Sequence, residues 1–383
     1  MTTSTPWARF DDLGSGRGLA CPPPYRILEA TRTADVAPVL AEVEHATAAG
    51  AWAFGYVSYE AAPGLDPALA VARPAADDPP PAWFGLCAAP IEVRPVRAPR
   101  GGRPATRWTP DWSSLDHARA VGRVREHISA GDTYQCNLTD RLRARFTGDP
   151  AALYAGLAAA QRGRYNAYLD LGRFVIASAS PELFFEWSGD RLRTRPMKGT
   201  AARGRHPVED DERARLLRAS PKEQAENLMI VDLLRNDLAR VARVGSVEVT
   251  ELFALEQYPT VWQLTSEITA RIRPEAGLVD VFRALFPCGS VTGAPKARSM
   301  QVIRDLEAGP RGVYCGAVGL IAPPGAEFRA RFNVAIRTVV VDRESATAVY
   351  GAGGGITWDS DPAAERAELL AKAAVLNRAA GVR

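Results

Sequence analysis

Apolar residues recur along this chain with two spacings, one typical of helices and one typical of half-buried strands. Helical spacing occurs from Ala34 to Gly50, from Ser113 to Gly131 and from Ser220 to about Val241. In Phe328–Arg337 the even positions are apolar and most odd positions are polar, the period of a strand with one buried face. The many stretches with this period predict large antiparallel sheets with helices on their outer sides.

Proline and glycine indicate where several predicted strands are interrupted. Residues 174–187 predict a hairpin or two strands around a turn at Pro181. The segment Arg191–Thr200 predicts a strand broken at Pro196 and at Gly199, and the glycine-rich run 351–355 is expected to break another. In residues 228–234 only one residue is charged, so the helix that contains them is expected to be buried on most sides.

Two loop-like stretches divide the chain unevenly. Residues 73–81 contain four prolines, and residues 97–104 contain two glycines and two prolines. We therefore expect an N-terminal subdomain over residues 1–105, packed into the same fold as a main domain over residues 106–383.

Composition excludes several classes of protein. The 383 residues are 46% hydrophobic and carry a net charge of +3, without a run of basic residues, which argues against nucleic-acid binding. Neither a signal-peptide pattern nor an apolar run of membrane-spanning length is present, and the five cysteines have no CxxC spacing. These features predict a cytoplasmic protein. The four histidines all precede residue 207, so a Ser-His-Asp triad in the second half is excluded.

Lysine is rare in this chain. Of 47 lysines and arginines only four are lysine: Lys198, Lys222, Lys296 and Lys372. Arginine keeps its proton in proteins, whereas a desolvated lysine can become a neutral amine and a nucleophile. Each lysine is therefore a candidate for chemistry, and chance is the alternative explanation.

Two glutamate doublets begin two predicted helices. Glu223 is the last residue of the capping sequence Ser-Pro-Lys-Glu and Glu226 lies three residues later, while Glu365 and Glu368 come after Ser-Asp-Pro. Carboxylates favour helix N-termini, and Glu223 is also explained as a capping-box residue. If the two helix starts face each other, however, four oxygen ligands converge, an arrangement that suits Mg²⁺.

Other candidates have equally open explanations. Glu182 lies in an apolar stretch, where burial would raise its pKa and allow it to act as a general acid, or it is exposed at a turn. The glycine run can form an anion nest or a bulge, and residues 289–296 form a small-residue loop before a helix. Arg337 can bind a carboxylate or lie on a solvated sheet face.

In combination, these segments resemble the chorismate-utilising enzymes, which include anthranilate, aminodeoxychorismate, isochorismate and salicylate synthases. The similar segments follow the order of that family over residues 115–380. They are GDTYQCNL at 131, ASPEL at 179, RPMKGT at 195, AENLMIVDLLRND at 225, TGAPK at 292, YCGAVG at 314, the glycine run 351–355, and DPAAERAE at 361.

The resemblance implies an α+β fold of two large antiparallel sheets with helices outside. It implies Mg²⁺ held by Glu226 and Glu365, with Glu223 and Glu368 beside them or acting through water, and Glu182 as the acid that helps the C4 hydroxyl of chorismate leave. It also implies a set of residues that hold chorismate: Gln135, Gly199, Thr200, Thr292, Tyr314, Arg337, Gly353, Gly354, Gly355 and Lys372.

Two positions indicate a branch of the family. Branches that add water are similar to one another in having lysine where this chain has Gln135, so this chain resembles the ammonia-using branch. Lys198 stands where aminodeoxychorismate synthases have lysine and anthranilate synthases a small residue, which implies Lys198 as a covalent nucleophile. Two departures are Met197 for isoleucine and Gln263 for a histidine that many relatives have.

The resemblance thus favours an aminodeoxychorismate synthase component I, with ammonia delivered by a separate glutamine amidotransferase subunit, serving 4-aminobenzoate and folate or a secondary pathway. A 2-amino-2-deoxyisochorismate or anthranilate synthase component I is the alternative. A non-catalytic chorismate-binding subunit is a third interpretation, against which the presence of Lys198, Glu182 and both doublets argues.

Overall fold

The computed structural model describes residues 5–98, 106–259 and 261–376. Within these ranges the strands are β1 Trp7–Asp12, β2 Arg17–Cys21, β3 Arg26–Ala30, β4 Trp52–Val57, β5 Ala82–Cys87, β6 Ile91–Val93, β7 Thr109–Pro110, β8 Gln135–Arg145, β9 Tyr165–Asp170, β10 Phe174–Ser180, β11 Leu183–Ser188, β12 Arg191–Arg195, β13 Met197–Ala202, β14 Glu248–Gln257, β15 Val261–Arg271, β16 Gly293–Ala294, β17 Ala317–Ile321, β18 Ala330–Val334, β19 Thr338–Asp342 and β20 Thr347–Ile356.

The helices alternate with these strands. They are α1 Val36–Ala48, α2 Ser114–Ser129, α3 Pro150–Gln161, α4 Pro207–Ala219, α5 Pro221–Ala239, α6 Leu278–Leu285, α7 Lys296–Leu306 and α8 Pro362–Ala373, with 3-10 turns at Thr33–Asp35, Tyr59–Gly64 and Gly289–Val291. None of the described helices is both long and apolar enough to cross a membrane.

Two antiparallel sheets of ten strands each form the body of the protein. The first has the order β16-β8-β20-β19-β10-β9-β1-β2-β6, with β7 beside β8. The second has the order β13-β15-β12-β11-β18-β17-β4-β5-β3, with β14 beside β15. This α+β architecture confirms the fold class predicted from the sequence.

Alternation along the strands places apolar side chains in separate cores. In β10, Val175 and Ala177 pack beneath α3 and α8, whereas Ile176 points into the core between the sheets. In β17, Ala317 faces the helices of the second sheet, whereas Val318 faces the first sheet. Because successive strand residues point to opposite sides, a sheet with both faces covered buries nearly all of its apolar residues.

Local signals placed several elements correctly. The predicted helices from Ser113 and Ser220 form as α2 and α5, each with its serine at the N-cap. In α2 the hydroxyl of Ser113 accepts from the Asp116 amide, and the Asp116 carboxylate closes a capping box. The predicted break at Pro196 separates β12 from β13.

Of the two alternatives at Pro181, two separate strands is confirmed, since β10 and β11 flank Pro181 and Glu182 but belong to different sheets and form no hairpin. Three other local predictions were wrong. Gly199 does not break its strand, because β13 runs through it from Met197 to Ala202. The glycine run does not break its strand, since β20 continues through Gly355 and pairs with β8 along its length. Helix α5 buries one face only, and Leu228 is 44% exposed.

The N-terminal segment contributes to both sheets. β1, β2 and β6 extend the first sheet, and β3, β4 and β5 complete the second. The boundary predicted near residue 105 lies outside the described residues, so the division at that point stays a prediction.

Candidate active site

A cavity of about 380 Å³ lies where one edge of each sheet meets helices α5 and α8. β8 and β20 of the first sheet and β13 and β15 of the second contribute to its wall. Fourteen of the sixteen predicted site residues line it, all except Gln135 and Thr292. A second cavity of about 240 Å³ lies between the sheets, and none of those residues lines it.

Lysine is concentrated in the first cavity. Lys198, Lys222 and Lys372 line it. Lys296 lies elsewhere, with its side chain 12% exposed, and its Nζ lies 2.8 Å from Asp237 Oδ2 and 3.2 Å from the Leu285 carbonyl. Lys296 thus links α7 to α5.

Strand β13 presents Lys198 to the cavity. Gly199, which follows it, has a φ of +88°, a conformation that side chains other than glycine rarely adopt. A Cβ at Gly199 would also lie 2.9 Å from Glu223 Oε2, so the absence of a side chain lets α5 approach the lysine. The backbone of Lys198 is held by Asn227, whose Nδ2 lies 3.5 Å from the Lys198 carbonyl oxygen.

The glycine run clears space opposite Lys198. A Cβ at Gly355 would lie 1.9 Å from Gln135 Nε2 and 2.9 Å from Lys198 Nζ. Gln135 is 1% exposed, and its Oε1 has no hydrogen-bond partner among the described residues. A buried amide oxygen without a partner is uncommon, and it leaves a free acceptor next to the cavity wall.

Glu182 lies in the two-residue connection between the sheets. It is 3% exposed, and its Oε1 has no hydrogen-bond partner within the part of the chain that the structure describes. Burial raises the pKa of Glu182 to about 7, while the Ser290 hydroxyl, the Lys198 ammonium group and the Met197 amide act in the opposite direction. A carboxyl group with this pKa can donate a proton near neutral pH.

The two glutamate doublets share the cavity. Glu223 and Glu226 approach from α5, and Glu365 and Glu368 approach from α8. Burial raises the pKa of Glu223, and the charges of Glu226 and Glu368 raise it further, so carboxylates of both helices interact. Burial likewise raises the pKa of Glu365, which accepts a hydrogen bond of 2.6 Å from the Ser360 hydroxyl.

The four carboxylates of the glutamate doublets do not converge on a single point in this structure. Within residues 5–98, 106–259 and 261–376, no group of three or more His, Cys, Asp or Glu side chains could hold a metal ion as placed. Oxygen donors on opposite sides of one cavity nevertheless have the chemistry that Mg²⁺ prefers. The donor set therefore fits Mg²⁺, and enclosing an ion would require side-chain movement.

The capping explanation for Glu223 is incomplete. The Ser220 hydroxyl accepts from the Glu223 amide at 3.4 Å, as a cap should. The Ser220 amide, however, donates to the Leu217 carbonyl, and the Glu223 carboxylate lies against Gly199. The side chain of Glu223 is thus directed to the cavity and does not close a capping box.

Basic and phenolic groups also line the cavity, one of them beside a glutamate of α8. Lys372 Nζ donates to the Gly353 carbonyl at 2.7 Å and lies 2.8 Å from Glu368 Oε1. Burial lowers the pKa of Lys372, and Glu368 opposes this effect. Arg337 and Tyr350 both donate to the Lys372 carbonyl, at 2.9 and 3.0 Å. Tyr314 packs against Gly351, where a Cβ would lie 2.2 Å from its ring.

Thr292 has a different position from the other predicted residues. It is fully buried, and its hydroxyl donates to the Cys288 and Gly289 carbonyls at 3.3 and 3.2 Å. Its carbonyl accepts from the Asn137 amide at 2.7 Å. Thr292 therefore contacts the backbone behind the cavity wall.

Some cavity residues were not predicted from the sequence. Gln263 accepts from the Thr200 hydroxyl at 2.9 Å and donates to the Gly199 carbonyl at 2.7 Å, so both ends of its amide hold β13. Lys222, whose Nζ lies 4.0 Å from Glu226 Oε1, was indicated only by the rarity of lysine. Asn137 and Ser290 lie in motifs, but no sequence pattern showed that they face the cavity.

This chain is similar in sequence to synthases of two kinds. Aminodeoxychorismate synthase component 1 of Escherichia coli (strain K12) is 41% identical over 273 residues, 69% of this chain and 58% of that protein. Anthranilate synthase component 1 of Streptomyces coelicolor is 42% identical over 267 residues, 69% of this chain and 51% of that protein. The chain thus spans between half and three fifths of the length of these relatives.

Structure and family agree with this similarity. The crystal structure of anthranilate synthase component I from Streptococcus pneumoniae TIGR4 is similar with a TM-score of 0.82 over 94% of this chain and 92% of that chain, at 26% identity. The family described as chorismate binding enzyme matches residues 24–378. The chain that places three lysines and two glutamate doublets in one cavity belongs to the family of chorismate-binding enzymes.

Proposed function

We propose that this protein converts chorismate and ammonia to 4-amino-4-deoxychorismate, as an aminodeoxychorismate synthase component I. Similarity to relatives does not decide this, because a synthase of each kind is about equally identical to the chain. The observation that supports the proposal is the position of Lys198, whose Nζ lies in the cavity beside Gly355 and near Glu182.

The first step uses Lys198 and Glu182 together. The unprotonated Lys198 amine adds at ring carbon C2, the ring double bonds shift, and the bond between C4 and its hydroxyl breaks. Glu182 gives its proton to the departing hydroxyl, which leaves as water. A pKa of about 7 keeps a substantial fraction of Glu182 protonated at neutral pH, as a general acid requires.

The second step reverses the roles of these groups. Ammonia adds at C4, the bond from C2 to the Lys198 nitrogen breaks, and the amine is released. The carboxylate that Glu182 became in the first step can accept the proton that the added ammonia loses. The sum is chorismate plus ammonia giving 4-amino-4-deoxychorismate plus water, with Lys198 regenerated.

Gln135 supports an amine as the incoming group. Its side-chain amide lies next to Gly355 and Lys198 Nζ, with Oε1 unpartnered among the described residues. An amide oxygen can accept a hydrogen bond from ammonia but cannot remove a proton from water. This favours amination over hydroxylation.

We further propose that the enzyme depends on Mg²⁺, held by Glu226 and Glu365 with Glu223 and Glu368 beside them or acting through water. The ion would supply positive charge to the ring carboxylate of chorismate. Two basic groups that also line the cavity, Arg337 and Lys372, can then help to orient the substrate.

The nitrogen is proposed to come from a glutamine amidotransferase subunit. The name of the Escherichia coli relative, aminodeoxychorismate synthase component 1, implies a partner component for that protein. The product would serve 4-aminobenzoate and folate synthesis or a secondary pathway that uses the same intermediate.

A second candidate is a 2-amino-2-deoxyisochorismate or anthranilate synthase, favoured by the 42% identity to anthranilate synthase component 1. In that reaction ammonia would add directly at C2, and Lys198 would contribute charge but not a covalent bond. The two candidates therefore differ in what Lys198 must do.

Mass spectrometry of the product with chorismate, Mg²⁺ and ammonium decides between them. The wild-type protein should give the 4-amino product, and Lys198→Ala should abolish it or divert nitrogen to C2. Lys198→Arg is the matched control, since it keeps a positive charge but supplies no nucleophilic amine. If Lys198→Arg makes the 4-amino product at the wild-type rate, the covalent role is contradicted.

A further inference from the structure

Behind the cavity wall, buried charged residues connect segments far apart in the sequence. Glu60, from the 3-10 turn after β4, is 2% exposed. Its two carboxylate oxygens accept from the amides of Arg311 and Gly312 at 2.7 and 2.8 Å. The Tyr59 amide donates to the Gly312 carbonyl at 2.9 Å. The N-terminal segment thus holds the turn at Arg311 and Gly312 by three hydrogen bonds.

The side chain of Arg311 extends from this turn to the cavity wall. Its guanidinium group donates to the carbonyls of Asn137 and Val291, both at 2.7 Å. Asn137 and Val291 line the cavity. Because each carbonyl belongs to a different element, β8 and the 3-10 turn Gly289–Val291, Arg311 fixes the separation of the two elements.

Glu307 completes the network from the end of α7. Both of its oxygens accept from Arg311, at 2.7 and 2.9 Å, and one also accepts from the amide and hydroxyl of Thr139, each at 2.9 Å. The ring of Tyr59 lies 4.5 Å from the Arg311 guanidinium carbon. Four donor contacts and an aromatic face leave the guanidinium little freedom to move.

The turn also determines where Tyr314 lies. Gly312 has a φ of +65°, which glycine adopts without strain, whereas the φ of +63° at Cys315 is uncommon for a residue with a side chain. The Glu60 carboxylate holds the Gly312 amide before Tyr314, and the Cys315 amide donates to the Ala335 carbonyl after it.

We propose that Glu60, acting through Arg311, is a positioning residue for the chorismate cavity. It holds Asn137, Val291 and Tyr314 where they line the cavity, without lining the cavity itself. The N-terminal segment therefore contributes to substrate affinity. This inference rests on chorismate as the proposed substrate, but not on which amino product is formed.

The test is the affinity of Glu60→Gln for chorismate, measured at equilibrium at pH 8 without ammonium. Gln keeps one acceptor oxygen but turns an NH₂ group towards the amide of Gly312 or Arg311, so one hydrogen bond is replaced by two facing donors. We expect Kd to rise about tenfold, the effect of losing a hydrogen bond to a charged group. With ammonium present, KM should rise similarly, while kcat stays within about twofold, because a displaced wall weakens ground state and transition state alike.

Asp170→Asn is the matched control. Asp170 is 3% exposed and paired with Arg343, but it lines neither the active cavity nor its rear wall. This variant should lose stability and retain the wild-type Kd. A folded Glu60→Gln with the wild-type Kd overturns the proposal, as does an equal rise in Kd for Asp170→Asn.

A milder variant decides the matter if Glu60→Gln does not fold. Glu60→Asp keeps the charge, but its side chain is one methylene shorter and cannot hold the amides of Arg311 and Gly312 at 2.7 and 2.8 Å without moving the turn. We expect a rise in Kd of about threefold, and no rise would overturn the proposal. Failure of the proposed function has a different signature, a wild-type protein that binds chorismate and forms no 4-amino product.

Discussion

Replacing Glu182 by glutamine should separate stability from activity. Glu182 has a pKa of about 7 in the folded protein because it is buried, against an ordinary value of 4.5. Between these values the folded protein holds a proton that the unfolded chain releases, so the free energy of unfolding falls as pH rises through this window. The stability loss is absent below pH 4.5 and complete above pH 7.

The size of this loss follows from the two pKa values. A tenfold change in proton affinity corresponds to about 1.4 kcal/mol, so a change from 4.5 to about 7 corresponds to about 3 kcal/mol at pH 8. Glutamine has a similar shape and does not ionise. Relative to the wild type, Glu182→Gln should therefore be about 2 to 3 kcal/mol more stable at pH 8 than it is at pH 5.

Urea unfolding of both proteins at pH 5 and pH 8 measures this difference, because ionisations common to both cancel. Glu126→Gln is the control, since that side chain is 65% exposed and should show no such pH dependence. Activity should change in the opposite direction, with kcat falling by about 10² to 10⁴ on loss of the general acid. An equal stability difference at both pH values would refute the buried-acid reasoning.

Two further substitutions test other parts of the cavity. In steady-state assays Gly355→Ala should lower kcat/KM at least about 100-fold, because the added Cβ would lie 1.9 Å from Gln135 Nε2. Gly122→Ala is the control and should leave kcat/KM unchanged, since a Cβ at Gly122 would have open space around it. In an EDTA-treated sample, Glu226→Gln should raise the Mg²⁺ concentration needed for half-maximal activity at least about tenfold. Glu212→Gln is the control and should not change that concentration, because the Glu212 side chain is 50% exposed on α4. An unchanged requirement in Glu226→Gln would contradict the proposed metal site.

Local sequence signals predicted what local interactions determine. The caps at Ser113 and Ser220 depend on hydrogen bonds to residues three positions away, and both form. The effect of the glycine run on its strand was predicted wrongly, because the side chains that require glycine there are distant in the sequence. Gly351 accommodates Tyr314, and Gly355 accommodates Gln135 and Lys198. Composition suggested a break, whereas the strand continues because neighbouring segments fill the space of the missing side chains.

Long-range pairing is the part that no local pattern could supply. β10 and β11 have the sequence of a hairpin, but each finds its partners in a different sheet. Glu60 binds an amide 251 positions away. Lys198 and the glutamate doublets were predicted to form one site only from the resemblance to a family. Their spacing in the sequence did not show that α5 and α8 face one cavity.

The placement of the lysines gives this protein an unusual chemical surface. Three of its four lysines line one cavity, and the fourth is held in an ion pair with Asp237, its side chain 12% exposed. Arginine supplies the other basic side chains and does not react as an amine. Lys222 is 61% exposed, so a reagent selective for lysine side chains should reach it whether or not the cavity is filled. The choice of arginine elsewhere leaves few competing amines, so modification of Lys198 and Lys372, measured separately from that of Lys222, reports whether the cavity is occupied.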